Sequence, residues 1–331
     1  MVRAILNPAI HPRPLRLLRG AALLVAGTTA LLGLSGCDSG MFPPNGRPEL
    51  ARAAPPSDAP FRSLRSAELQ RHYERVQANL LAKGLMRVDG GGPDTPYDAD
   101  TLSRNFETIA FYDEYARGAG LSLRGGKAGR LRRWERPVRV TVGFGNSVPQ
   151  ETRLKDRAMV SDYAARLASI TNHPISMSPV RPNFHVLFMG EDDNDQLLAE
   201  LRVLVPDISP DMLDIFRNLP RSIYCLVVAS SPNGQPNTYS KAIALVRAEH
   251  PDLVRLSCVH EEMAQGLGLA NDDPRVRPSI FNDDDEFALL TSHDENLLRI
   301  LYDPRLYPGM TLEQARPIVR VIAGELAGQD L

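Results

Sequence analysis

The stretch CVHEEMAQGLGLAND, residues 258–272, predicts the end of a long helix that stops on a glycine. Pro251-Asp252 reads as the start of that helix and Gly268 as its stop. At about 100° per residue, Leu256, Val259, Met263 and Leu267 share one face, and His260 falls among them. Glu261 and Gln265 lie on the opposite face, with Cys258 beside them and Glu262 to one side. The helix therefore has an apolar stripe and, away from it, a group of oxygen-bearing side chains.

Upstream of this helix the pattern is that of a sheet. Val138–Phe144 alternates like a strand, Val160, Tyr163, Ala164 and Leu167 mark one helix face, and 175–177, 184–189, 224–229 and 241–247 read as further strands. Ser209-Pro210-Asp211 reads as the start of a helix in an acidic insertion, with serine capping and proline in the first position. Earlier still, Leu69, Tyr73, Val76 and Leu80 predict one helix and Leu102, Phe106, Ile109 and Ala110 a second. GGGPDTP, residues 90–96, is a turn between them: no Gly-Lys-Ser/Thr follows it, as a phosphate cradle would need. The fold class expected is α+β, a mixed sheet with a long central helix, preceded by an N-terminal helical segment.

A two-ligand metal motif on a helix needs its ligands one turn apart with a glutamate between them. Starting at His260 fails, because the partner position is Ala264. Starting at Glu261 gives Glu261-Glu262-x-x-Gln265-x-x-Gly268-x-x-Asn271. In that register the chain resembles the metzincins, zinc peptidases with the motif His-Glu-x-x-His-x-x-Gly-x-x-His. The base position (Glu262) and the glycine are kept, while Glu261, Gln265 and Asn271 stand at the three histidine positions. Ser279-Ile280-Phe281 resembles the methionine turn with phenylalanine in place of methionine, and 290–294 through 300–302 resembles the final helix of the matrix-type members. The resemblance covers about residues 137–303. The segments 90–115 and 293–310 also resemble a family of uncharacterised bacterial lipoproteins.

One carboxylate and two amides offer only oxygen, which suits calcium, magnesium or manganese better than zinc. No tightly held catalytic zinc is expected, and without one Glu262 has no activated water to deprotonate. A divalent cation held with help from Asp272, Asp273 and the acidic run 282–286 is the rival; the blander reading of that run is a solvated loop. His260 reads as a packed core histidine. His293 sits near a helix start, where Asp294 suits the positive end of the dipole. There is no Gly-x-Ser-x-Gly elbow, and Cys258 has no positive neighbour to make it a thiolate.

At the N-terminus, arginines at 3, 13, 16 and 19 precede the apolar run 21–34, and Leu34-Ser35-Gly36-Cys37 follows. This resembles a bacterial lipoprotein signal with Cys37 lipidated, which implies a membrane anchor facing the periplasm; Asp38 favours the inner membrane. Of the three cysteines, Cys225 and Cys258 then remain, as a disulfide or as two buried thiols. Residues 38–60 read as a tether, 61–136 as the helical segment and 137–331 as the metzincin-like domain. A formal net charge of -2 in 331 residues gives no sign of a nucleic-acid partner.

The function expected is a lipid-anchored envelope protein that serves as a non-catalytic binding or assembly module, with a protein or peptide partner. The alternative is an envelope metallohydrolase using Glu262 as general base with an atypical metal. A third possibility is that the helices of 61–117 carry the interaction surface.

Overall fold

The computed structural model describes residues 62–112, 128–282 and 284–327. The expected signal, lipidation site Cys37 and tether lie outside these residues, as does 113–127 of the helical segment. In chain order the elements are α1 (Leu64–Ala82), α2 (Ala99–Phe111), β1 (Arg133–Trp134), β2 (Val138–Phe144), α3 (Gln150–Thr171), β3 (Ile175–Met177) and β4 (Phe184–Met189). There follow α4 (Asn194–Leu204), α5 (Pro210–Arg217), β5 (Cys225–Ser230), β6 (Thr238–Tyr239), β7 (Lys241–Arg247), α6 (Asp252–Leu267), α7 (Ser292–Tyr302) and α8 (Leu312–Ala327). Helix starts are set by side chains that cap free backbone amides: Ser63 accepts from Ser66 N–H, Asp98 from Thr101 N–H and Ser209 from Met212 N–H.

The main sheet has the order β3-β2-β4-β7-β5. Its first four strands run parallel, and β5 pairs antiparallel with β7 at the edge. With helices on both faces, this is an α+β architecture. β4 is buried along its whole length, which explains its continuous run FHVLFM.

The two faces separate by residue parity, because successive side chains in a strand point to opposite sides. Phe184, Val186 and Phe188 of β4, Ala242, Ala244 and Val246 of β7, and Cys225, Val227 and Ala229 of β5 enter the larger core with α3 and α6. Leu187, Met189, Ile243, Leu245, Leu226 and Val228 enter a second core with α4 and α5. Cys225 therefore points at α6. Its sulfur is bonded to that of Cys258, with the Cα atoms 5.8 Å apart, so the edge strand is tied to the helix.

The described residues fall in one compact unit. Leu102, Phe106 and Ile109 of α2 join the larger core, and α2 packs on α8 and α7, so these residues are not a separate segment before residue 137.

α6 lies close on the sheet because small residues face it. A Cβ on Gly266 would come within 2.6 Å of Phe184 Cζ, and the Gly266 carbonyl accepts from Trp134 Nε1 at 2.8 Å. Every residue from Cys258 to Leu267 is buried. The face carrying Glu261 and Gln265 is thus not a solvent face. Local periodicity identifies the apolar stripe but is blind to what covers the other side.

Candidate functional site

Cys258, Glu261, Glu262 and Gln265 stand at i, i+3, i+4 and i+7 of α6, one continuous stripe. The disulfide fixes the start of this stripe beside β5. A carboxylate oxygen of Glu261, one of Glu262 and the Cys225 sulfur all lie within 4.8 Å of one another. Glu262 is fully buried, and neither of its carboxylate oxygens has a hydrogen-bond partner. Burial first, then the charges of Glu261 and Asp272, push its carboxyl well above the usual range, so it holds its proton.

The other two positions of the motif are turned toward protein acceptors. Gln265 donates from Nε2 to Asp272 Oδ1 at 3.0 Å, and Asn271 donates from Nδ2 to the Thr108 carbonyl at 3.1 Å. Gln265 Oε1 remains buried without a partner. Thr108 belongs to α2, and no signal in the sequence joins it to residue 271.

The remaining acidic residues do not gather here. Asp273 is held by Arg275 at 2.6 Å, and Glu286 by Arg277 at 2.5 Å and Arg87 at 3.4 Å. The run 282–286 is solvated only in part: Asn282 is buried, while Asp284 is exposed. Residue 283 lies outside the described residues. Of the described acids after the helix, Asp272 is the one that turns toward Gln265 and Glu262.

His260 stacks on Tyr163, ring centroids 3.9 Å apart, and its Nδ1 accepts from Leu290 N–H at 3.1 Å. Accepting there places the ring proton on Nε2. His293 is buried at the start of α7, with Nε2 3.0 Å from the Asn105 amide and the Tyr97 ring edge-on at 4.8 Å. Each histidine has its own partners, and the two do not form a metal pair.

Asp294 does more than face a helix dipole. Its buried carboxylate accepts from Ser279 Oγ at 2.5 Å and from Ile280 N–H and Thr291 N–H at 3.0 Å each, so it clamps the 279–281 turn to the start of α7. Thr291 caps the same helix in a reciprocal capping box, a spacing visible as Thr291-x-x-Asp294.

Burial depresses His260 and His250 to about 3 and His185 to about 4, and it lowers His72 and His173 as well. At these histidines the folded chain binds fewer protons than the unfolded one below the ordinary value of 6.5, so they lower stability as pH drops from there. Down to about pH 4.5 the raised carboxyls of Glu262, Glu249 and Asp156 oppose this loss. Below it the unfolded carboxyls take up their protons too and the opposition fades, while each histidine still neutral in the fold acts with a slope of up to about 1.4 kcal/mol per pH unit. Urea midpoints at pH 7, 5.5 and 4 should show a shallow change and then a steep drop; an even decline across all three would contradict it.

Three cavities, of about 750, 400 and 290 Å³, lie away from the α6 stripe, near Arg130 and Arg316, near His72 and Arg247, and near Arg104 and Arg320. Among the described residues, no helix is long and apolar enough to cross a membrane.

Comparison with the curated proteins and with the solved structures found no match to this chain. The family model described as Protein of unknown function (DUF2927) matches residues 99–321, from the first residue of α2 into α8. That is more than half of the 331 residues, and the chain belongs to this family.

Proposed function

We propose that this chain is a lipid-anchored protein of the bacterial cell envelope, and that its domain, metzincin-like in plan, is a non-catalytic module for binding or assembly. The observation that carries the non-catalytic part is Glu262. A general base must be ionised and within reach of a water or substrate proton. Glu262 is neither: it is fully buried, both its oxygens lack partners, and burial with two acidic neighbours holds its proton on. The amides at the other motif positions support the same reading, since Asn271 and Gln265 direct their donors at Thr108 and Asp272. The plan of the sheet, with parallel strands, one antiparallel edge strand and a long helix ending on Gly268, supports the metzincin likeness. The anchor rests on the N-terminal residues up to Cys37, and Asp38 supports a position at the periplasmic side of the inner membrane. Its partner is then another envelope protein or a peptide.

Glu262→Gln tests the carrying observation. A carboxyl with a raised folded pKa costs stability that grows as pH rises above its unfolded value of 4.5. Glutamine keeps the shape, removes this cost and offers N–H donors to Glu261 and Asp272. The variant should be more stable than the parent at pH 7, by roughly 1–3 kcal/mol, with the gain vanishing near pH 4.5. A destabilised variant would mean that Glu262 is ionised and held by something it needs.

A companion measurement addresses the hydrolase reading. The chain with its disulfide closed is equilibrated with zinc, calcium and manganese, and excess metal is removed. No retained metal is expected. A stoichiometric metal that disappears in Glu261→Ala with Gln265→Ala would favour the metallohydrolase instead.

A further inference from the structure

We infer that Cys225, Cys258, Glu261 and Glu262 form a second-state metal site, one that takes a thiophilic divalent cation of the zinc class once the disulfide is reduced. This goes beyond the binding-module reading and does not rest on it.

The argument begins with placement. Strand parity aims Cys225 at α6, and the helical stripe puts Cys258, Glu261 and Glu262 at i, i+3 and i+4 opposite it. Ligand atoms of Cys225, Glu261 and Glu262, from two rigid elements, thus gather at one point, and Cys258 is tied to it by its bond to Cys225. The Cys225 sulfur and one oxygen from each glutamate already lie within 4.8 Å of one another, and the Cys258 sulfur adjoins because it is bonded to Cys225. With zinc at ~2.3 Å from sulfur and ~2.0–2.2 Å from oxygen, ligand atoms around a tetrahedral ion are ~3.3–3.8 Å apart.

A second, independent observation is that Glu262 is fully buried with both oxygens unpartnered. Buried polar atoms almost always have a partner, so an orphaned carboxyl within 4.8 Å of the Cys225 sulfur calls for an explanation. Gln265 Oε1, also buried and unpartnered, lies one turn further along the stripe.

The chemistry balances. A dithiol reductant gives two electrons and two protons to the Cys225–Cys258 bond, yielding two thiols and the reductant's own disulfide. A zinc ion then replaces the two thiol protons, and any proton on Glu262, which leave to solvent. Two thiolates and two carboxylates around a dication carry the same formal charge as a four-cysteine zinc site. All four positions are filled by protein, so the site is structural and leaves no open position for a catalytic water. While the disulfide is closed there is no thiolate, and the remaining oxygen set suits zinc poorly. Bridge and metal are therefore mutually exclusive ways of tying β5 to α6.

The test uses the full chain with Cys37→Ser, which removes the third thiol. Oxidised and phosphine-reduced samples are incubated with zinc, freed of excess and analysed for metal; cobalt in place of zinc reports thiolate ligation by its charge-transfer absorption. One zinc per reduced chain and none per oxidised chain is expected. The double change Glu261→Gln with Glu262→Gln should weaken binding at least tenfold, and Cys225→Ser with Cys258→Ser should abolish it. Circular dichroism and Trp134 fluorescence check the fold of each sample. No zinc in the reduced chain would overturn the proposal, as would equal affinity in the glutamine variant. Zinc bound by a reduced chain that stays unfolded would overturn it too, because the ligands would then not be placed by the fold.

Discussion

Replacing Asp294 with alanine should cost about 4–5 kcal/mol, among the largest effects of any single change in this chain. The carboxylate is completely buried and accepts from the Ser279 hydroxyl and from the amides of Ile280 and Thr291. Alanine removes the acceptor and leaves three donors without partners away from water, and hydrogen bonds to a charged group are the stronger kind. The helix also loses its capping box at Thr291. Asp294→Asn keeps one oxygen and should cost about half as much, because its NH2 group meets donors instead of acceptors. Thermal unfolding should fall by about 10 °C or more for the alanine variant. Amide exchange should rise first at Ile280 and Thr291. A loss below about 1 kcal/mol would show that the clamp does not hold the turn.

Gly268→Ala should cost about 3–5 kcal/mol, for two separate reasons. The glycine ends α6 at φ 135°, a conformation that L side chains rarely adopt and that costs about 1–3 kcal/mol when forced. A Cβ there would also come within 2.3 Å of the Arg132 carbonyl oxygen, a backbone atom that cannot rotate away. Relief requires moving the chain before β1 or the end of α6, at a further ~1–3 kcal/mol. Because Asn271 and Asp272 follow within four residues, the same shift should loosen their bonds to Thr108 and Gln265. Denaturant titration measures the loss, and exchange of the Ala270 amide, which donates to the Ile109 carbonyl, reports the local movement. A variant as stable as the parent would mean that the turn adopts another conformation at little cost.

Some elements were legible with little ambiguity. The strands at 138–144, 175–177, 184–189 and 241–247 and the helix from Asp252 to Gly268 have their boundaries written in local pattern. Alternation, a proline at the start and a glycine at the stop act within a few residues, so they need no knowledge of the fold. β5 is displaced by one residue from the expected 224–229, because its end is set by its pairing with β7.

The site was legible only in part. The i, i+3, i+4, i+7 relation among Cys258, Glu261, Glu262 and Gln265 follows from one helix and could be read directly. The partners could not. Thr108 meets Asn271 across 163 positions, and Arg277 takes Glu286 away from the acidic loop. Bridge or separate thiols for Cys225 and Cys258 stayed open as well, because their distance depends on which strand lies beside α6.

The sequence by itself determined where α6 and the strands β2, β3, β4 and β7 begin and end and which side chains of α6 share a face, since these follow from backbone geometry over a few residues. Only the tertiary structure decided that the polar face of α6 is sealed against β5, that Glu262 is left without a partner and that Asp294 is a buried clamp. Strand order and the packing of distant segments remove those groups from water, and desolvation, which then governs their chemistry, is a property of the whole fold and not of any stretch of chain.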